Sequence, residues 1–175
     1  MAEAITAGAP QAAYSLRADL AAAQTALAAV WGAAADTVPP ALQLSLSPCR
    51  ALVSGSWTAL WLGPDEQLLV GPRAGGPTMA QRVESALGTL PHSLVDVSHR
   101  QLAIELNGPA AGVILNSGCP LDLDLKAAPE GFCCRTVFGK AEIVLWRHAE
   151  HEFQIQVWRS FLPYVTGLLA LAAEE

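Results

Sequence analysis

The chain has 175 residues, a length that can bury a sizeable core without disulfide or metal staples. Hydrophobic residues make up 52% of it and charged residues only 15%, an excess with two readings, small alanines or apolar surface meant to be covered by a partner. With 16 Asp+Glu against 10 Lys+Arg the net charge is −6, which argues against nucleic acid and anionic membrane surfaces as partners.

Met1 to Pro10 carries no basic segment leading into an apolar run, so no secretory signal is read there. Phe161 to Ala173 is interrupted by Pro163, Thr166 and Gly167 and falls short of the ~20 apolar residues of a spanning helix. The expectation is a soluble, cytoplasmic protein whose cysteines (Cys49, Cys119, Cys133, Cys134) are reduced thiols.

In chain order, residues 1–14 read as a flexible tail and 15–175 as a single domain. Ser15 to Trp31 reads as a helix, with Leu16, Leu20, Ala23, Leu27, Val30 and Trp31 on one stripe, stopped by Gly32 and Pro39-Pro40. Leu42, Leu44 and Leu46 alternate as a strand would. Trp57 to Leu62 and Gln67 to Val70 flank Gly63-Pro64-Asp65-Glu66 and predict a β-hairpin. Thr78 and Gln81 form a capping box for a second helix carrying Met79, Val83, Ala86, Leu87 and Leu90.

A second part of the domain, 93–175, follows the first, 15–92. Leu94 to Val97 and Leu102 to Leu106 read as strands, and Pro109 to about Asn116 as a helix stopped by Gly118. Strands follow at Cys133 to Phe138, Glu142 to Arg147 and Phe153 to Trp158, joined by Gly139-Lys140 and by His148 to His151; a helix over Phe161 to Ala173 closes the chain. The fold class is α+β: mainly antiparallel sheet with helices packed on one face. No internal repeat is evident in the residues.

The search for chemistry finds no assembled site. Cys119 lies just past a helix C-terminus, whose negative end disfavours a thiolate, and reads as a structural thiol. Cys133 and Cys134 point to opposite faces of a strand. Asp96, Ser98 and His99 have triad residue types but sit too close together in sequence to meet triad geometry. His148 and His151 have metal-ligand spacing without further ligands nearby, and His92 reads as a surface residue. Gly71 to Pro77 lacks the Gly-Lys-Ser/Thr ending of a phosphate loop. What stands out instead is aromatic character at Trp57 and Trp61, and at Trp146, Trp158, Phe161 and Tyr164, with Arg159 beside them. Such residues commonly anchor protein interfaces.

Several segments together resemble the gamma subunit of heterotetrameric sarcosine oxidase. They are Trp61-Leu62-Gly63-Pro64-Asp65-Glu66, Val95-Asp96-Val97-Ser98, Gly108-Pro109-Ala110-Ala111, Gly118-Cys119-Pro120-Leu121-Asp122-Leu123, Gly139-Lys140-Ala141-Glu142 and Trp158-Arg159-Ser160-Phe161. Their order covers about Leu52 to Ala173, with Phe138 standing where a leucine is more usual. The resemblance implies a fold similar to the folate-binding domains of aminomethyltransferases. It implies a non-catalytic subunit partnered by alpha, beta and delta chains in a flavin-dependent enzyme that oxidatively demethylates sarcosine. FAD, FMN, NAD, zinc and tetrahydrofolate are then expected on the partner subunits, with no cofactor in this chain. Motif position and residue type select Trp57, Trp61, Asp65, Glu66, Leu121, Asp122, Trp158, Arg159, Phe161 and Tyr164 as interface candidates. The alternatives are a stand-alone folate-binding module and the matching subunit of an N-methylglutamate dehydrogenase-like complex.

Overall fold

A computed structural model of the chain describes residues 4–32 and 42–174. It forms two compact units, residues 11–98 and residues 1–10 with 99–175, where the sequence suggested one domain dividing at 92.

In the unit of residues 11–98, strands β2 (Gln11–Ala18), β3 (Ala51–Ser54), β4 (Trp57–Gly63), β5 (Glu66–Pro72) and β6 (His92–Asp96) form one sheet in the order β3-β4-β5-β2-β6. Its pairings are antiparallel. Helices α1 (Leu20–Gly32) and α2 (Gly76–Leu87) bury Leu20, Ala23 and Leu27, and Met79, Val83 and Leu87, against Tyr14, Leu16, Trp57, Ala59 and Leu69. The other unit orders its strands β1 (Ala4–Ala7), β7 (Gln101–Asn107), β10 (Glu152–Trp158), β9 (Ala141–Ala149) and β8 (Cys133–Phe138), again antiparallel. Helices α3 (Ala111–Asn116) and α4 (Leu162–Ala173) pack Ile114, Leu115, Val165 and Leu169 on Ile104, Leu106, Ile143, Leu145, Phe153, Ile155 and Val157. The α+β class, the antiparallel pairing and the helices on one sheet face therefore hold.

Several local expectations do not. The predicted tail contains β1 and the start of β2. Ser15 to Ala18 belongs to β2, and α1 starts only after Asp19, whose Oδ1 accepts the N–H groups of Ala21 and Ala22 at 3.0 Å. Leu42 and Leu44 are buried but form no strand. Side chains hold this segment instead: the N–H groups of Gln43, Leu44 and Ser45 donate to Ser54 Oγ, Gln24 Oε1 and Gln67 Oε1. Helix α2 starts at Gly76 with Pro77 in its first turn and no side-chain cap, so the Thr78/Gln81 box is not used. His148 lies within β9, leaving Glu150 and His151 for the turn. Pro39-Pro40 lies outside the described residues.

An internal repeat, invisible in the residues, is explicit in the backbone. Each unit runs strand, helix, three-stranded meander, 3-10 turn, helix, and each adds one further edge strand beside the first. The registers agree. Ala18 N–H donates to Asp65 C=O and Gly108 N–H to His151 C=O, both at 3.0 Å; Val97 bonds Ala13 as Gly8 bonds Ala103. The 3-10 turns Arg73–Gly75 and Arg159–Phe161 follow Pro72 (φ −60, ψ 132) and Trp158 (φ −62, ψ 136), and both lead into a helix with proline in its first turn. The edge strands are exchanged in sequence. β1, at the head of the first repeat, completes the sheet of the second, while β6, at the head of the second, completes the sheet of the first.

Candidate interaction surface

The repeat gives each residue of α4 a counterpart on α2. Met79 and Val83 are buried, and so are Val165 and Leu169 in the same places. The outward positions differ. Where α2 carries Thr78, Gln81, Arg82, Glu84 and Ser85, α4 carries Tyr164, Gly167, Leu168, Ala170 and Leu171. Over its twelve residues α4 has no charged side chain. Tyr164 is 38% and Leu171 58% exposed. A helix without charge on any side is ordinarily a buried one, and α2 shows what this position carries when it faces water.

The face continues beyond the helix. Phe161, 39% exposed, meets Tyr164 edge-on with ring centroids 6.5 Å apart. Tyr164 Oη accepts the Lys140 N–H at 3.2 Å, above the β8–β9 turn that Gly139 makes at φ +58. A Cβ on Gly139 would come within 2.6 Å of Tyr164 Oη, so the close approach requires glycine. Between α4 and that turn lies a cavity of 390 Å³ lined by Phe138, Gly139, Tyr164, Leu168 and Leu171. Cations border the face. Arg159 Nε donates to His99 C=O, the Arg100 guanidinium lies 5.0 Å over the exposed Trp158 ring, and Lys140 is exposed. Among the described residues none of these three cations forms an ion pair with a carboxylate.

The sequence-selected residues separate into three groups and one buried exception. Phe161 and Tyr164 meet at this face, and the exposed Trp158 and Arg159 directly precede them in the chain. Trp61, Asp65 and Glu66 lie in the other unit. Trp61 and Asp65 line an open cavity of 840 Å³ with Arg17, Leu46 and His92, and Arg17 bonds Asp65 at 3.1 Å and Glu66 at 2.7 Å. Leu121 packs on a core, and the exposed Asp122 caps the turn at Asp124. Trp57 is a correction: it is 3% exposed in the core, so close under Gly71 that a Cβ there would lie 2.5 Å from its ring, and it presents nothing to a partner. Lys140, Gly167, Leu168 and Leu171 escaped selection, although the twelve-residue run without charge marked the helix.

Groups with chemical potential are occupied structurally. Ser98 Oγ accepts the Ala13 N–H, Asp96 accepts the Ser98 N–H, and His99 is exposed. Cys119 is buried, 4.0 Å from Thr136 Oγ1. His92 is no plain surface residue: its ring nitrogens face Leu90 C=O at 2.6 Å and Glu84 Oε2 at 2.8 Å, and these bonds raise its pKa. His148 stacks on Trp146 with centroids 3.6 Å apart; burial lowers its pKa against the pull of Glu105. Arg147, 2% exposed, lies 4.5 Å over Phe153 and donates to Leu123 C=O at 2.6 Å and to Ala128 C=O. No helix among the described residues is long and apolar enough to cross a membrane, and no group of three or more His, Cys, Asp or Glu among them is placed to hold a metal.

The class these features define is an α+β chain of two like units whose distinctive surface is built for contact. Comparison with known proteins makes it particular. The sarcosine oxidase gamma subunit family model matches residues 21–175, and the chain belongs to that family. It is 32% identical to the sarcosine oxidase subunit gamma of Corynebacterium sp. (strain P-1), over all of this chain and 87% of that one. To the same subunit of Arthrobacter sp. it is 33% identical, over 89% and 77%. Among solved structures, a chain of the heterotetrameric sarcosine oxidase from Corynebacterium sp. U-96, in complex with pyrrole 2-carboxylate, matches with TM-score 0.85 and 27% identity, covering 98% of this chain and 84% of that one. Aminomethyltransferase T of the Bartonella henselae glycine cleavage system shares the fold, with TM-score 0.67 at 13% identity over 98% of this chain and 49% of that one.

Proposed function

We propose that this chain is the structural gamma subunit of a heterotetrameric, flavin-dependent sarcosine oxidase, assembled with alpha, beta and delta chains in the cytoplasm. The whole complex demethylates sarcosine to glycine, hydrogen peroxide and 5,10-methylenetetrahydrofolate. FAD, FMN, NAD, zinc and tetrahydrofolate are held by the other chains, and this one contributes scaffold and contact surface. The observation that carries the reading is the family match along residues 21–175 together with a helix whose outer face carries no charge.

The test is to tag the chain in its native cells, purify it gently, and record the mass and visible spectrum of what accompanies it. The expected product is a large yellow assembly that consumes oxygen with sarcosine. Turnover of another N-methyl amino acid instead would reassign the substrate. A colourless protein of its own mass, from cells expressing the flavoprotein chains, would overturn the reading and make tetrahydrofolate binding by the isolated chain the next measurement.

A further inference from the structure

The subunit reading leaves open which face docks and what sits on it. Four places compete. The cavity around Arg17 and Trp61 has its guanidinium already paired with two carboxylates. The cavity of 360 Å³ beside Arg147 mixes that cation with Asp124 and Glu150, and both terminal nitrogens of Arg147 are spent on backbone carbonyls. The row of half-buried Glu105 and buried Gln154 and Gln156 bonds internally at 2.6 and 2.9 Å. Among the described residues, it is the outer face of α4 that combines uncovered apolar area with cations in no ion pair.

We infer that this face seats an amphipathic helix of a partner subunit, one whose apolar stripe is flanked by carboxylates. The inference rests on the subunit reading and adds the face and the chemistry of its occupant. Gly167 and Ala170 are exposed, and nothing lies within 4 Å of where a Gly167 Cβ would stand, so a second helix can approach closely there. Tyr164, Leu168 and Leu171 flank that line and bury apolar area when it does. Aromatic and arginine side chains, here Phe161, Tyr164 and Arg159, are the types that carry most binding energy at interface centres. Charge selects the occupant. Arg100, Lys140 and Arg159, at the start of α4 and the β8–β9 turn beside it, form no ion pair with a carboxylate among the described residues, on a chain whose net charge is −6. A second copy of this chain would bring three more cations against two exposed carboxylates of the described residues there, Glu174 and Glu142, and Glu142 already faces Arg135 at 3.8 Å. Like charges would then outnumber pairs, whereas an acid-flanked helix satisfies all three.

The experiment uses the tagged full chain in cells that make the flavoprotein subunits. Ala170→Glu and Leu171→Glu restore on α4 the polar character that α2 has at Glu84 and Ser85, and both positions are exposed, so the chain itself keeps its melting temperature. Each is expected to cut the flavoprotein retained per tagged chain by at least about tenfold. Ser85→Glu, on the outer face of α2, leaves retention at the wild-type level. Zero-length carbodiimide coupling of the wild-type assembly is expected to join Lys140 to an aspartate or glutamate on a helix of another subunit. Wild-type retention of yellow subunits by both α4 variants would overturn the inference and leave the subunit reading standing. Coupling of Lys140 to a second copy of this chain would overturn it too. If the unsubstituted chain retains no flavoprotein at all, it is the subunit reading that fails.

Discussion

The buried guanidinium of Arg147 forms no ion pair among the described residues; backbone carbonyls take both its terminal nitrogens, and its Nε is left without a partner. It bonds the carbonyls of Leu123 and Ala128, while its own N–H and C=O bond Phe132 and Gly131, so one residue of β9 fastens the long connection between α3 and β8 at four points. A hydrogen bond from a charged group contributes roughly 1.5–3 kcal/mol, so Arg147→Ala is expected to lower stability by about 3 kcal/mol or more. Denaturant titration measures this, and limited proteolysis should then cut within 121–131 before anywhere else. Two histidines carry opposite pH signatures. His92 gains from Leu90 C=O and Glu84 when protonated, so its stabilisation is full below the ordinary value of about 6.5 and disappears as pH rises past its raised folded value. His148 is held neutral by burial, so stability is full above that ordinary value and declines as pH falls below it. NMR titration should place the His92 transition above and the His148 transition below that of an exposed histidine. His92→Gln should remove the loss on the alkaline side, and His148→Gln the loss on the acid side. None of these roles was legible in the residues, because nothing in Trp146-Arg147-His148 tells a solvated turn from a buried strand end.

At the level of elements, legibility followed the turn residues that bound each segment. The hairpin at Gly63 to Glu66, the meander of β8 to β10 and helix α4 were read from turn residues and clear spacing. Strand β2 was missed because its alternation is weak: Ala12, Tyr14, Leu16 and Ala18 are buried on one face, while the other runs from buried Ala13 through half-buried Ser15 to exposed Arg17. Its alanines give little contrast between the faces, and Leu16 and Leu20, four apart, mimic a helical stripe. The Leu42 to Leu46 segment has the alternation without the ladder, because Ser54, Gln24 and Gln67 side chains take the place of a neighbouring strand. Of the candidate surface, the aromatic run from Trp158 to Tyr164 was legible from residue type. The outer face of α4 was not, since its meaning comes from comparison with α2. Glycine matters most in β5. Gly71→Ala would drive a methyl group into Trp57, and overpacking of this kind costs about 1–3 kcal/mol. A lowered melting temperature with a shifted tryptophan emission is the expected result; an unchanged spectrum would show that the ring relaxes freely.

At the level of the molecule, the repeat assigns β1 a larger role than its four residues suggest. It pairs with β7 from Ala4 opposite Asn107 to Ala7 opposite Ile104, and Gly8 adds a bond to Ala103. Deleting residues 2–8 leaves β7 as a sheet edge. Amide exchange along Gln101–Asn107 should then rise severalfold, while β2, paired on both sides by β5 and β6, keeps its protection. Equal exchange before and after deletion would show that the β1 ladder adds nothing to the unit. The same exchange of edge strands sets a timetable for synthesis. As the chain leaves the ribosome, β1 emerges first and finds its partner only after residue 107 has been made. The first repeat, in turn, cannot close its own sheet until β6 arrives from the second. Each half of the message thus withholds the last piece of the other, and a nascent chain interrupted near its middle is left with one strand that has nothing to pair with and one sheet still open.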